Sequence, residues 1–198
     1  MTPIFSVCRS RLRIYFRIDV VIDTPASNLS RKRGRDKSLS IDVLVQSPKW
    51  KAEPRAAAIV RKAISSAAIA ASTPRAELAI VLTDDSAIHA LNRDWRGQNK
   101  PTNVLSFPAA ASPGGRKRAP SALLGDIVIA FETTAREART ARKPLKHHLA
   151  HLAVHGFLHL VGYDHETQRD AKRMESLEVE ILAGLGLPDP YAVRPARS

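Results

Sequence analysis

One cysteine, Cys8, stands in a chain of 198 residues, which excludes an internal disulfide framework and any cysteine-based zinc knuckle. No apolar run approaches the ~18 residues that a helix needs to cross a bilayer, so neither a transmembrane protein nor a membrane partner is expected. Neither common type of glycine-rich phosphate loop is present, and no organic cofactor is expected. There is no internal repeat. Aromatic residues make up only 5%, so base stacking is a minor contributor to any nucleic-acid binding. Acidic residues are the other shortage: 19 Asp and Glu face 31 Lys and Arg, a net charge of +12. Such an imbalance favours an anionic partner: nucleic acid, the ribosome or a membrane surface. Against these gaps, 44% hydrophobic and 25% charged residues are the balance of a globular protein, and the length suits one domain with a real core.

The charge is uneven. Residues 1–38 hold nine Lys and Arg against three Asp and Glu, half of the whole excess. Within them, residues 5–22 mix apolar side chains with Arg9, Arg11, Arg13 and Arg17, which interrupt the continuous apolar stretch of a secretory signal. These arginines do not segregate to one helical face, which speaks against a membrane-surface helix. An organellar transit peptide fits poorly with Asp19 and Asp23. Residues 1–38 are therefore read as a basic, disordered extension or as residues upstream of the true translational start, with a nucleic-acid-binding arm as the alternative.

From Leu39 the pattern becomes regular. Ile41, Val43 and Val45 alternate with polar positions, as in a half-buried strand. Alanine-rich residues 53–71, with Ile59, Ile64 and Ile69, predict a helix. A strand is expected over 77–82. Thr83, Asp84 and Asp85 then supply a cap and first-turn charge for a helix over 84–95. A turn-rich loop, RGQNKPTN, leads to the short strand VLSF. The Gly- and Pro-bearing stretch 109–121 is expected to be a mobile loop, and 123–130 a further strand. Helices fill 132–184, broken near Pro144 and at Gly162–His165. Strands come first and helices dominate the end, which indicates one α+β domain over 39–190 and a tail over 191–198.

The chemistry concentrates in HLAVHGFLHLVGYDH, residues 151–165. His155 and His159 are spaced i, i+4 and project from one helical face about 6 Å apart along the axis. His165 lies ten residues after His155 and joins them only if the chain turns back. Gly162 stands where that break is needed, because glycine tolerates the left-handed conformation at a helix end. Three histidines without a fourth protein ligand describe a catalytic rather than a structural zinc site, with one position open. His151, one turn earlier, is read as a packed residue or one that orients a ligand, and Asp164 as one that caps or orients the turn. His147 and His148 are read as surface or RNA-facing. H-x-x-x-H-x-x-G-x-x-H is also the ligand spacing of the metzincin proteases, which carry a glutamate after the first histidine as general base. Here that position is Gly156, which cannot take a proton, so the ligands are kept and the peptidase's base is not.

HGFLHLVGYDH resembles the signature of the YbeY family, bacterial metal-dependent endoribonucleases also described as rRNA maturation factors. LNRDWRGQNKPTNVLSFP (91–108) and LGDIVIA (124–130) resemble two further segments of that family, in the same order, and the likeness spans about residues 40–190. The resemblance implies a single α+β domain with a small mixed sheet against several helices and a zincin-like metal-binding helix. It implies one zinc ion held by His155, His159 and His165. It implies single-strand-selective cleavage in rRNA maturation at the 3′ end of the small-subunit rRNA and in ribosome quality control. Expected partners are rRNA and the small ribosomal subunit or its assembly factors, in the cytoplasm. Arg96, in its Asn92–Trp95–Arg96 context, falls on the family's functionally important arginine, and a planar guanidinium can grip two phosphate oxygens at once. The basic extension over 1–38 departs from the family pattern.

Two basic clusters are candidates for the RNA path. Arg136, Arg139, Lys143 and Lys146 recur every three or four residues and form one stripe if the helix runs on past Pro144. Arg116, Lys117 and Arg118 lie on the Gly/Pro loop. A solvated face is the plainer reading of each cluster. Two other functions are weighed against the nuclease: a metalloprotease-like hydrolase on the same ligands, and a non-catalytic ribosome assembly factor whose metal is structural.

Overall fold

The computed structural model describes residues 39–73, 77–109 and 123–192. The extension over 1–38 and the basic loop residues Arg116, Lys117 and Arg118 lie outside the described residues.

The alternating strand patterns assemble into one sheet. Strands β1 (Ser40–Val45), β2 (Glu77–Thr83), β3 (Val104–Pro108) and β4 (Leu123–Ala130) lie in the order β1-β2-β4-β3. β1, β2 and β4 run parallel, and β3 pairs antiparallel to β4 along the edge. The sheet is therefore mixed and the domain α+β, as expected. Period-two alternation divides the core. Leu78, Ile80 and Leu82 of β2 and Ile127 and Ile129 of β4 face one way into the larger core. Val81, Val128 and Leu105 face the other way into a smaller one.

Six helices cover these faces among the described residues: α1 (Pro48–Lys51), α2 (Ala56–Ala70), α3 (Asp85–Arg96), α4 (Phe131–Thr140), α5 (Leu145–Leu160) and α6 (Gln168–Gly184). Helix α3 closes the smaller core with Ile88 and Leu91 and starts at Asp84, whose carboxylate accepts from the Ala87 amide at 2.9 Å. Helices α2, α5 and α6 cover the opposite face. The helix expected over 53–71 is α2, and a short helix not foreseen in the sequence precedes it: Ser47 caps α1, Pro48 opens it and Trp50 buries its ring edge-on against Phe131.

Helix α5 does not continue α4. Arg142 takes a left-handed φ of 49° and Pro144 becomes the N-cap of α5, so the continuous basic stripe is not formed. Arg136 instead turns to Thr133 at 2.8 Å and Asp85 at 3.7 Å, and the Lys143 ammonium donates to the Pro190 carbonyl. Arg139 and Lys146 are exposed.

Helix α5 is enclosed by β3, β4, α2, α4 and α6. Leu149, Ala150, Leu152, Ala153, Val154, Gly156, Phe157, Leu158 and Leu160 are all buried, leaving a narrow strip for polar side chains. Phe157→Ala should therefore cost about 3–5 kcal/mol in urea unfolding. Ile69→Ala on α2, where the side chain is 75% exposed, should change stability by less than about 0.5 kcal/mol.

Candidate metal centre

The strip that α5 leaves open carries His151, His155 and His159, and it faces α6. The helix ends as Gly162 adopts φ 93°. The Tyr163 amide then bonds the Leu158 carbonyl at 3.0 Å and the Gly162 amide bonds the His159 carbonyl at 3.2 Å, the paired bonds of a Schellman turn. This reversal returns His165 to the histidines of the helix: its ring centroid lies 5.9 Å from His155 and 5.0 Å from His159. Asp164 orients the turn by accepting the His165 amide at 2.7 Å. One ligand nitrogen from each of His155, His159 and His165 falls within a 4.8 Å cluster that could hold a metal ion.

The hydrogen bonds decide which nitrogens are available. His155 donates from Nδ1 to Glu178 Oε1 at 2.8 Å. His159 donates from Nδ1 to the Tyr163 carbonyl at 3.0 Å. A carboxylate and a carbonyl can only accept here, so both protons sit on Nδ1 and both Nε2 atoms present lone pairs. Those two Nε2 atoms lie 3.1 Å apart. Two neutral imidazoles in that arrangement have no proton to share, and a cation between them removes the repulsion. Two nitrogens each about 2.0–2.1 Å from one tetrahedral ion would stand about 3.4 Å apart, close to the spacing seen. The donor set therefore fits a divalent metal such as zinc.

Electrostatics point the same way. Burial pushes the His159 imidazole below its ordinary value, and neighbouring His155 and His165 push it further down, which favours the neutral ligand form. Glu178 is 0% exposed. Burial alone would raise its carboxyl, but hydrogen bonds from His151, His155 and Tyr191 outweigh this and hold it at about 2. The ionised carboxylate behind His155 completes the carboxylate–histidine arrangement common to metal sites. His151 reaches the second oxygen of Glu178 at 3.2 Å, so it orients the site through Glu178.

Glu178 was not singled out by spacing around the histidines. Its signal was present elsewhere: Met174, Glu178, Ile181 and Leu182 form the buried stripe of α6, and one acid in such a stripe demands a partner. His148, expected at the surface or facing RNA, lies against α4 instead. Its Nε2 meets Glu137 Oε2 at 2.8 Å because α4 packs against α5, so it is turned inward and not towards RNA. His147 is half-buried beside Leu182 and Pro188.

Arg96 is not drawn into the cluster. It ends α3 on the far face of the sheet, beside the edge strand, where Trp95 packs edge-on against Phe107 at 5.9 Å. Its side chain is exposed and, among the described residues, makes no hydrogen bond or ion pair. Buried Asn92 shapes the following loop by donating to the Lys100 carbonyl at 2.8 Å.

The YbeY family model, described as "Endoribonuclease YbeY", matches residues 43–186. The chain belongs to the YbeY family. A protein named Endoribonuclease YbeY from Rhodopseudomonas palustris is 58% identical over 153 residues, covering 76% of this chain and 91% of that relative. Another of the same name from Nitrobacter winogradskyi is 53% identical over 171 residues, 81% of this chain and 90% of that relative. A solution structure from Thermotoga maritima aligns with TM-score 0.45 and 21% identity over 77% of this chain and 99% of that one. Within this YbeY chain, no described helix is long and apolar enough to cross a membrane.

Gly156 explains why the metzincin base has no counterpart. A Cβ there would sit 3.0 Å from Ile127 Cγ2 and 3.1 Å from Ser106 Oγ, on the side of α5 pressed against the sheet. The Ser106 hydroxyl donates to the Gly156 carbonyl at 3.0 Å and closes that gap. Gly156→Glu should drive a carboxylate into the core and lose more than about 3 kcal/mol, read as a lowered denaturation midpoint. Glu178→Gln should weaken zinc binding by the folded protein about 10- to 100-fold in a chelator competition.

Proposed function

We propose that this chain is a zinc-dependent endoribonuclease, one ion per chain, that cuts single-stranded rRNA. In this reading it acts in the cytoplasm, in maturation of the small-subunit rRNA 3′ end and in ribosome quality control. Its partners are rRNA and the small ribosomal subunit or its assembly factors. The observation that carries the reading is the convergence of His155, His159 and His165 with the Nδ1 protons of two of them already committed, to Glu178 and to the Tyr163 carbonyl. Membership of a family whose relatives are named endoribonucleases supports the choice of RNA over peptide. The net charge of +12 supports it too, as does the absence of a base at Gly156.

His155, His159 and His165 hold the ion. A divalent metal bound there supplies Lewis acidity to a phosphodiester whose negative charge grows during displacement. Glu178 keeps the His155 ring aimed and, by accepting from Nδ1, leaves Nε2 as the nitrogen that faces the ion. Arg96, exposed and unpaired among the described residues, offers a two-pronged grip on phosphate oxygens and stabilises the same developing charge. Arg139 and Lys146, both exposed, add backbone contacts that carry no sequence information. Selection of the cleavage site then falls to the ribosomal partner.

Metal-loaded protein should cleave a single-stranded rRNA precursor fragment, and a His155→Ala/His159→Ala variant prepared identically should not. Equal cleavage by both would overturn metal-site catalysis. Arg96→Ala should retain its metal content and lose about 100-fold in kcat/KM.

A further inference from the structure

Beyond the last helix, the chain folds back onto the metal centre. Tyr191 lies outside the stretch 43–186 that matches the family, yet its hydroxyl donates to Glu178 Oε2. Its ring meets His151 edge-on, with centroids 5.5 Å apart and planes at 82°. Two further contacts seat the segment without involving the hydroxyl. Asp189 Oδ1 accepts the Tyr191 amide at 2.7 Å, and Lys143 donates to the Pro190 carbonyl.

We propose that Tyr191 is a positioning residue of the metal centre, acting through Glu178 on the ligand His155. The route is short and wholly hydrogen-bonded. Tyr191 and His151 occupy Oε2 of the buried carboxylate, and His155 occupies Oε1. A carboxylate can rotate about its last bond, and donors on both oxygens fix its plane. With the plane fixed, the His155 ring is held in the orientation that points Nε2 at His159. Without the tyrosine, His151 alone restrains Oε2, at the longer distance of 3.2 Å. The tail thereby contributes to metal affinity without touching the ion, as outer partners of metal-bound histidines do. Tyr191 is 44% exposed, so its hydroxyl can be removed without opening the core.

This inference rests on the metal reading above, and the experiment separates the two. Zinc affinity is measured by chelator competition on folded, metal-free protein, and the visible spectrum of the cobalt-loaded form reports ligand geometry. Five proteins are compared: the unsubstituted chain, Tyr191→Phe, Glu178→Gln, the variant carrying both of these changes, and His155→Ala/His159→Ala. Tyr191→Phe should bind zinc about tenfold more weakly and shift the cobalt spectrum. In the Glu178→Gln background it should add less than about a twofold change, because the route is already cut. Affinity for Tyr191→Phe within about twofold of the unsubstituted chain overturns the proposal and leaves the metal reading intact, as does an equal loss in both backgrounds. If the unsubstituted chain binds no better than His155→Ala/His159→Ala, the metal reading itself fails. Should Tyr191→Phe not fold, Lys143→Ala, which frees the tail at Pro190, takes its place, with several-fold weaker zinc binding expected and unchanged binding overturning the proposal.

Discussion

Helix α5 is buried around almost its whole circumference, and the remaining architecture follows from that constraint. Its apolar sides are taken by the sheet and by α2, and on one side the approach is so close that even a Cβ at Gly156 would press on Ile127 and Ser106. Past the first turn of the helix, polar residues survive only along the strip facing α6. His151, His155 and His159 lie on that strip because they repeat every four residues. The helix is at once the centre of the core and the floor of the site, so the ligand geometry is held by packing rather than by a loop.

A row of half-buried imidazoles creates a demand that α6 answers. Glu178 is stable without solvent because three donors converge on it, and in return it settles the tautomer of His155. The Tyr163 carbonyl does the same for His159 from the turn that Gly162 permits. On His155 and His159 the free Nε2 is thus selected by the bond made on the opposite side of the ring. Removing one outer partner removes a constraint on the ligand as well as one hydrogen bond, which is why the tail at Tyr191 matters to the centre.

The same geometry separates this site from a peptidase of like spacing. The position that carries the protease's glutamate points into the sheet here, against Ile127 and Ser106. Arg96 approaches from the other face of the sheet, next to the edge strand, with its guanidinium uncommitted among the described residues. Basic residues of α4, α5 and their junction divide into those tied to other elements and those left at the surface, so charge along the sequence overstates the charge offered to RNA: Arg136 and Lys143 are held by Asp85, Thr133 and Pro190, while Arg139, which bonds only the Ala135 carbonyl of its own helix, and Lys146 are exposed.

What the sequence determined by itself is local. Alternation marked β1 because side chains in a strand change face at every residue, the stretches ELAIVL, VLSF and LLGDIVIA read as the other three strands, and the acid-rich start at Asp84 marked α3 because helix ends need a cap. The three histidines and the break at Gly162 were legible for the same reason: i, i+4 spacing and a left-handed helix end depend only on neighbours along the chain. What tertiary structure decided is everything that depends on which surfaces meet. Glu178 lies 23 residues after His155, and Tyr191 lies 13 beyond that. No short-range period links them, and only the packing of α6 and the tail against α5 brings them together. The inward turn of His148 and the division of the basic stripe have the same origin, since periodicity names a face but not the element that covers it.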